Sequence, residues 1–292
     1  MSIFDTLHMS WKGVRDEQAI WFNSFDGTNW APQRNVRGMG TGTATSMALY
    51  EGSLCMAWKG NREESTIFYS STEDGVNWRS PVGVYGIGTS NFPSLVTFNG
   101  KLHMAWKGVK GDQGIYINST NSPRGTSWVP QMNVRGIGTS YGPTLASFHN
   151  MLVMVWKGID DQQGIWQSTS TDGVNWTPQH GIPGIGTSTG PSLASFGNKL
   201  FMAWKGIRDE QGIWFSSSTD GVNWAPQRNI PGIGTSTGPA LANFRNRLLV
   251  MTWKGVRDEQ AMWFSTSTDG VNWAPQRNIP GIGTSNRPAI AQ

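Results

Sequence analysis

One tripeptide, Trp-Lys-Gly, recurs six times and carries the residues best suited to chemistry. Its lysines are Lys12, Lys59, Lys107, Lys157, Lys205 and Lys254, never replaced by arginine. Its tryptophans are Trp11, Trp58, Trp106, Trp156, Trp204 and Trp253. An acidic residue follows each copy, at Asp16, Glu63, Asp112, Asp161, Asp209 and Asp258, and a carboxamide closes five of them, at Gln18, Gln113, Gln163, Gln211 and Gln260. An ammonium donates hydrogen bonds, a carboxylate accepts them, a carboxamide does both, and an indole offers a flat apolar face. Together they suit a ligand with many hydroxyls and an apolar CH face. Each residue type also has a structural role open to it. The lysine can bond a backbone carbonyl in its own turn, Asp and Gln can close turns, and the indole can fill a core.

Other chemistries find little support. His8, His103, His149 and His180 share no repeat position and Cys55 is the only cysteine, so neither a metal site nor a disulfide framework is expected. The net charge is +4, but no run of five like charges exists, and nucleic acid is not an expected partner. No stretch approaches the ~18 apolar residues of a membrane-spanning helix. The first ten residues lack a basic segment and a long apolar run, so no signal peptide is read and a cytoplasmic or non-classically secreted protein is expected. Gly184-Ile-Gly186-Thr-Ser-Thr-Gly190 looks superficially like a phosphate loop. It follows no strand–helix unit and recurs in step, so it reads as a turn, and no cofactor is expected.

The elements that must position these residues follow from the repeat itself. Trp-Lys-Gly copies are spaced by 47, 48, 50, 48 and 49 residues. A second tryptophan, mostly as Asn-Trp, marks each unit at Trp30, Trp78, Trp128, Trp176, Trp224 and Trp273, and Gly-Ile-Gly-Thr-Ser begins at Gly86, Gly136, Gly184, Gly232 and Gly281. The first copy of that signature is degraded to Gly38-Met39-Gly40-Thr41-Gly42. The unit from Pro191 to Gly234 holds four short strand-forming runs: A from Pro191, B from Leu200, C from Gly212 and D from Trp224, where Pro226 suits an edge strand. With 37 Gly, 15 Pro and 16 Trp and no helical periodicity, four strands per repeat spell a β-propeller blade. The chain opens on strand B, Leu7 to Trp11, and ends on a strand A, Arg287 to Ala291. We therefore expect residues 1–292 to form a single all-β, six-bladed propeller domain of repeats of about 48 residues, each blade four antiparallel strands. The C-terminal strand would complete the N-terminal blade and close the ring.

In such a blade the B–C and D–A loops share one face. Both keep their polar residues among the six copies, whereas the A–B loop drifts, as in Phe98-Asn-Gly-Lys against Phe148-His-Asn-Met. The retained face is the candidate binding surface. Strand C opens with an aromatic, Trp21, Phe68, Tyr116, Trp166, Trp214 or Trp263, fit for either stacking or core filling, and the Asn-Trp indoles are expected to pack between blades.

The C–D turn, Ser217-Ser-Thr-Asp-Gly-Val-Asn-Trp224, resembles the Asp-box of sialidase-like propellers, with Asp220 one place later than the motif has it and Asn223 for its threonine. The resemblance implies blade architecture and not activity. A sialidase also needs an arginine triad, a Tyr–Glu pair and an Asp acid, unlike residues from different blades. No Arg-Ile-Pro motif stands near the N-terminus, and none of Tyr50, Tyr69, Tyr85, Tyr116 and Tyr141 is visibly paired with a lone Glu. Polar residues kept in step point away from an enzyme. The larger resemblance is to propeller lectins, implying a multivalent, haemagglutinating protein whose partners are cell-surface glycans. A sialidase-like glycoside hydrolase and a protein-interaction scaffold are the alternatives.

Overall fold

The computed structural model describes residues 3–292, so Met1 and Ser2 of the expected domain lie outside it. Twenty-four strands form six four-stranded antiparallel sheets, the blades of one ring. We number them I to VI: strands B–D of blade I span residues 7–40, and blades II to VI span 45–88, 94–138, 144–186, 192–234 and 240–283. Strand A of blade I is Ala289–Ala291, paired antiparallel with Leu7–Lys12 through His8↔Ala291 and Ser10↔Ala289. The two ends of the chain thus share one sheet, as the repeat phase predicts. Among the described residues no helix is long and apolar enough to cross a membrane.

Strand B is buried along nearly its whole length because both faces meet neighbouring blades. Its tryptophans are 0–2% exposed, and each removes roughly 150–250 Å2 from water. The layers between blades are the cores. Between V and VI, Ile213, Phe215, Ile230 and Ile233 of blade V meet Leu249, Met251 and Trp253 of blade VI. The half-buried Trp263 and Trp273 pack against the same cluster. The second tryptophans of the repeat lie between blades, four of them edge-on to an aromatic of the preceding blade, as Trp78 on Phe22 at 5.5 Å and Trp273 on Phe215 at 6.3 Å, whereas Trp224 donates to Gln167 Oε1 at 2.6 Å.

Strand D starts later than its sequence suggests. In blade V it spans Arg228–Gly234, so Trp224 and Pro226 belong to the connection before it. It pairs with strand C only at Phe215↔Arg228, Trp214↔Asn229 and Gly212↔Gly234, and bulges out between. The proline inside this outermost strand is Pro231, opposite the bulge, where no ladder bond needs its missing N–H. Gly232 makes the bulge with φ +73°, a left-handed conformation that the other five copies share.

The C–D turns are closed by their own aspartates. Asp220 accepts from Val222 N at 2.8 Å, Asn223 N at 2.7 Å and Asn223 Nδ2 at 2.7 Å, and Asp74, Asp172 and Asp269 repeat the pattern. These bonds hold the four carboxyls below the usual carboxylate range.

The A strands line an axial channel of about 360 Å3. Unlike residues gather at its D–A end. Arg287 donates to Gly190 O at 3.2 Å and Pro239 O at 2.9 Å, and lies over the Phe92 ring at 4.7 Å. Tyr141 packs against Phe92 at 5.6 Å. The positions matching Phe92 and Arg287 in blades IV, V and VI are Gly142, Gly190 and Gly238, and Tyr141 stands one place before Gly142; a Cβ on Gly190 would lie 2.8 Å from Tyr141.

Candidate functional site: the inter-blade joint and its rim

Trp-Lys-Gly and Gly-Ile-Gly-Thr-Ser are two halves of one joint between neighbouring blades. At the V/VI joint, Lys254 Nζ donates to Ser236 Oγ at 2.6 Å and to Arg257 O, in its own loop, at 3.0 Å. Ser236 donates in turn to Gly255 O at 2.8 Å. Lys12, Lys107, Lys157 and Lys205 bond Ser285, Ser90, Ser140 and Ser188 at 2.6–2.8 Å, together with one loop carbonyl each. Blade II departs, because Gly42 stands where the serine would be. Lys59 reaches Arg62 O at 2.6 Å and only a distant Gly60 O at 3.5 Å. All six lysine residues are 6–7% exposed. Burial lowers their pKa values against the pull of nearby loop carboxylates. A compact ammonium fits this nook of carbonyl and hydroxyl oxygens, whereas a planar guanidinium directs its donors along a fork.

The second glycine of Gly-Ile-Gly is explained by the same joint. A Cβ on Gly186 would lie 2.8 Å from Gln163 O and 3.0 Å from Ile207 of the next blade. Gly138 and Gly234 face the corresponding clash with Ile159 and Val256. The intervening isoleucine enters the inter-blade core, as Ile233 does at 8% exposure.

The glutamines form a belt around this face. Gln18, Gln163, Gln211 and Gln260 accept from the N–H of Arg62, Arg208, Arg257 and Arg15 in the next blade at 2.6–2.8 Å, and Gln113 from Asp160 N at 2.9 Å. Ser65 takes the place in blade II and the belt breaks there. Asp16, Glu63, Asp161, Asp209 and Asp258 are exposed on the loops. Asp112 belongs to a different position. Its N–H closes the loop on Val109 O at 2.9 Å, as Glu17 closes on Val14 O, so it matches Glu17 and not Asp16.

That position holds the residues the motif comparison missed. Glu17 Oε1 accepts from Trp21 Nε1 at 2.9 Å, Glu210 from Trp214 at 2.7 Å and Glu259 from Trp263 at 3.0 Å. In blade III the tyrosine hydroxyl of Tyr116 donates to Asp112 Oδ2 at 2.9 Å, a longer phenol meeting a shorter acid, and this bond raises the tyrosine pKa. Across the strand pair these aromatics face Asn35, Asn133, Asn229 and Asn278. Blades II and IV lack both features. Phe68 has no polar hydrogen and faces Gly83, and the Trp166 ring lies 3.8 Å from where a Gly181 Cβ would stand. Blade IV loses both the loop acid, as Gln162, and the asparagine, as Gly181, whereas blade II keeps the acid as Glu64 and loses its donor at Phe68 and its asparagine at Gly83. The signal available in the sequence was the strand-D asparagine, present only where the strand-C aromatic can donate to a loop acid, not the strict sixfold repeat.

The structure thus brings four half-buried aromatics, each with a tethered carboxylate and a neighbouring carboxamide, to the B–C and D–A face, beside the glutamine belt. It does not bring the Trp-Lys-Gly indoles there, since these are shut inside the blades.

No family model matches the chain, and no curated protein sequence matches it. Solved structures do. AofleA from Arthrobotrys oligospora is similar at TM-score 0.68 and 11% identity, over 99% of this chain and 90% of that one. The Aleuria aurantia lectin, in complex with α-methyl-L-fucoside, is similar at TM-score 0.63 and 12% identity, over 96% of both chains. An α-L-arabinanase of Penicillium chrysogenum, complexed with arabinobiose, reaches TM-score 0.65 and 16% identity over 84% of this chain and 83% of that one. What is shared at such identities is the fold. Glycoside hydrolases recur among these matches, including a sialidase and members of families 43 and 117, and this overturns the expectation that the chain is not an enzyme. The physical reason is visible at the axis, where Phe92, Tyr141 and Arg287 break the repeat and bring unlike residues together.

Proposed function

We propose that this protein binds carbohydrate at repeated rim sites on the face formed by the B–C and D–A loops. The observation that carries the reading is the cluster of a half-buried aromatic, its tethered carboxylate and an asparagine in blades I, III, V and VI. An indole pinned by its N–H presents a fixed face for a sugar's CH groups, while acid and amide exchange bonds with hydroxyls. The buried lysines act from beneath, fixing the loop that carries the carboxylate. Blades II and IV lack the tether, so four sites per chain are expected rather than six. Each would be shallow and weak, and several engaged at once on a glycan-covered surface would bind by avidity, with haemagglutination as the outcome. A lectin and several glycoside hydrolases of the same fold support a carbohydrate ligand. Glycan-array screening followed by calorimetry tests the reading. Four equivalents of a bound glycan, lost blade by blade on replacing Trp21, Tyr116, Trp214 and Trp263 with alanine, is the expected result. Six equivalents, or none, contradicts it. The hydrolases among the structural matches favour a second reading, turnover of a bound glycoside, which chromogenic arabinosides, xylosides and sialosides test directly.

A further inference from the structure

Neighbouring blades leave outer grooves between the bulged strand D of one and the second-tryptophan segment of the next, at the I/II, II/III and V/VI joints. The I/II groove, of about 630 Å3, differs from the others in charge. It is lined by Arg34, Asn35 and Arg37 from blade I and by Asn77 and Trp78 from blade II, with Phe22 beneath. Both arginines are exposed, and neither has an ion-pair partner among the described residues. The two acids of the adjoining turn are already engaged. Asp74 accepts from Val76 N, Asn77 N and Asn77 Nδ2 at 2.7–2.8 Å, and Glu73 pairs with Arg79. No other blade carries arginine at both places. Blades V and VI have Arg228 and Arg277 at the first, but Pro231 and Pro280 at the second, and blade II has Val82 and Tyr85.

We infer that the I/II groove is a separate site for an acidic glycan, with Arg34 and Arg37 receiving its sulfate or carboxylate. Two guanidinium forks set three residues apart on one strand match an anionic group bidentately. The Trp78 indole and the Asn35 and Asn77 amides beside them serve the sugar ring that bears the charge. A bare anion would have no use for the indole. The site lies on the outer wall and shares only Asn35 with the rim clusters, that of blade I.

The test is calorimetric titration at low ionic strength with three hexasaccharides: heparin-type (sulfated), hyaluronan (carboxylate only) and maltohexaose (neutral). Arg37→Pro installs the residue that blades IV to VI tolerate at this place, so the fold is preserved; Arg34→Val/Arg37→Pro copies blade II at the first place. One acidic oligosaccharide per chain is expected, weakened about fivefold or more by Arg37→Pro and abolished by the double variant. Arg228→Ala, which removes one positive charge from blade V, should leave it unchanged. Binding of the heparin type alone identifies sulfate, and binding of both acidic types identifies any anionic group. The inference is overturned if neither acidic ligand binds, if maltohexaose binds equally in this groove, or if Arg228→Ala weakens binding as much as Arg37→Pro, which would mark diffuse attraction to a chain of charge +4. Alanine at Trp214 and Trp263 distinguishes the sites, since acidic binding should survive it while rim binding falls. Rim binding without acidic binding would remove this inference alone.

Discussion

Replacing Lys205 with methionine tests whether the repeated lysine is a joint between blades. Lys205 Nζ donates to Ser188 Oγ at 2.7 Å and to Arg208 O at 2.9 Å. Methionine keeps most of the apolar stem and removes the donors. A hydrogen bond from a charged group contributes about 1.5–3 kcal/mol, so two amount to roughly 3–6 kcal/mol in gross terms. Against this stands the cost of burying the ammonium, visible in its lowered pKa, and Ser188 retains its bond to Gly206 O at 2.9 Å. A net loss of about 2 kcal/mol is expected, a fall in Tm of about 4 °C or more. Blade II supplies the internal comparison. Lys59 has one good partner, Arg62 O at 2.6 Å, so Lys59→Met should cost about 1 kcal/mol. Gly42→Ser should supply the missing hydroxyl and stabilise the I/II joint as the Arg62 loop yields slightly to a Cβ that would stand 3.2 Å from Arg62 N. Gly42 N already bonds Gly60 O at 3.1 Å, as the serines do elsewhere. Urea unfolding of the four proteins of the Gly42→Ser and Lys59→Met cycle, beside Lys205→Met, measures the coupling. The reasoning fails if Lys59→Met costs as much as Lys205→Met, or if Gly42→Ser stabilises equally in the Lys59→Met background.

Three further outcomes follow from the same geometry. Gly186→Ala should destabilise by about 1–3 kcal/mol in urea unfolding, since its methyl meets Gln163 O and Ile207 of the next blade, whereas Gly→Ala at a position with open space and negative φ would not. Glu210→Gln, at an exposed residue, should leave the melting temperature within about 2 °C, whereas Trp214→Ala should lower it by more, because the half-buried indole packs against the IV/V core. Trp214→Ala should remove one of four glycan equivalents in calorimetry, and Glu210→Gln should weaken that equivalent while Trp214 emission changes. Stability should decline as pH falls from 7 toward 5: burial lowers the pKa of His8 and His103 below the ordinary 6.5, so the unfolded chain binds more protons there and is favoured. His8→Gln should flatten that slope in thermal scans at stepped pH, and an unchanged slope would show that His8 is not responsible.

Much of the architecture was legible in the chain because a propeller repeats its local physics. Trp-Lys-Gly, Asn-Trp and Gly-Ile-Gly-Thr-Ser recur at near-constant spacing, the turns carry their own Asp and Gly, and the phase of the two ends requires one shared blade. Strand D was placed too early because pairing across a bulge leaves no alternation to follow; its start is set by where Arg228 and Asn229 meet strand C. The candidate site was harder. Retention of lysine in all six blades was visible, but retention is the same for a ligand contact and for a joint, and only the packed neighbour shows Ser188 and Arg208 O around the ammonium. Motif counting also set Asp112 beside Asp16, where the hydrogen bond of its loop sets it beside Glu17. By itself the sequence determined the number of blades, the four strands in each and the closing of the ring, since these depend on periodicity and turn chemistry within each repeat. The tertiary structure alone decided which faces of the repeat meet: that the indoles of Trp-Lys-Gly are enclosed, that four strand-C aromatics are tied to carboxylates at the rim, and that Arg34 and Arg37 share one groove with Trp78. Those are contacts between segments distant along the chain, and no local pattern encodes which side chain a neighbouring blade will cover.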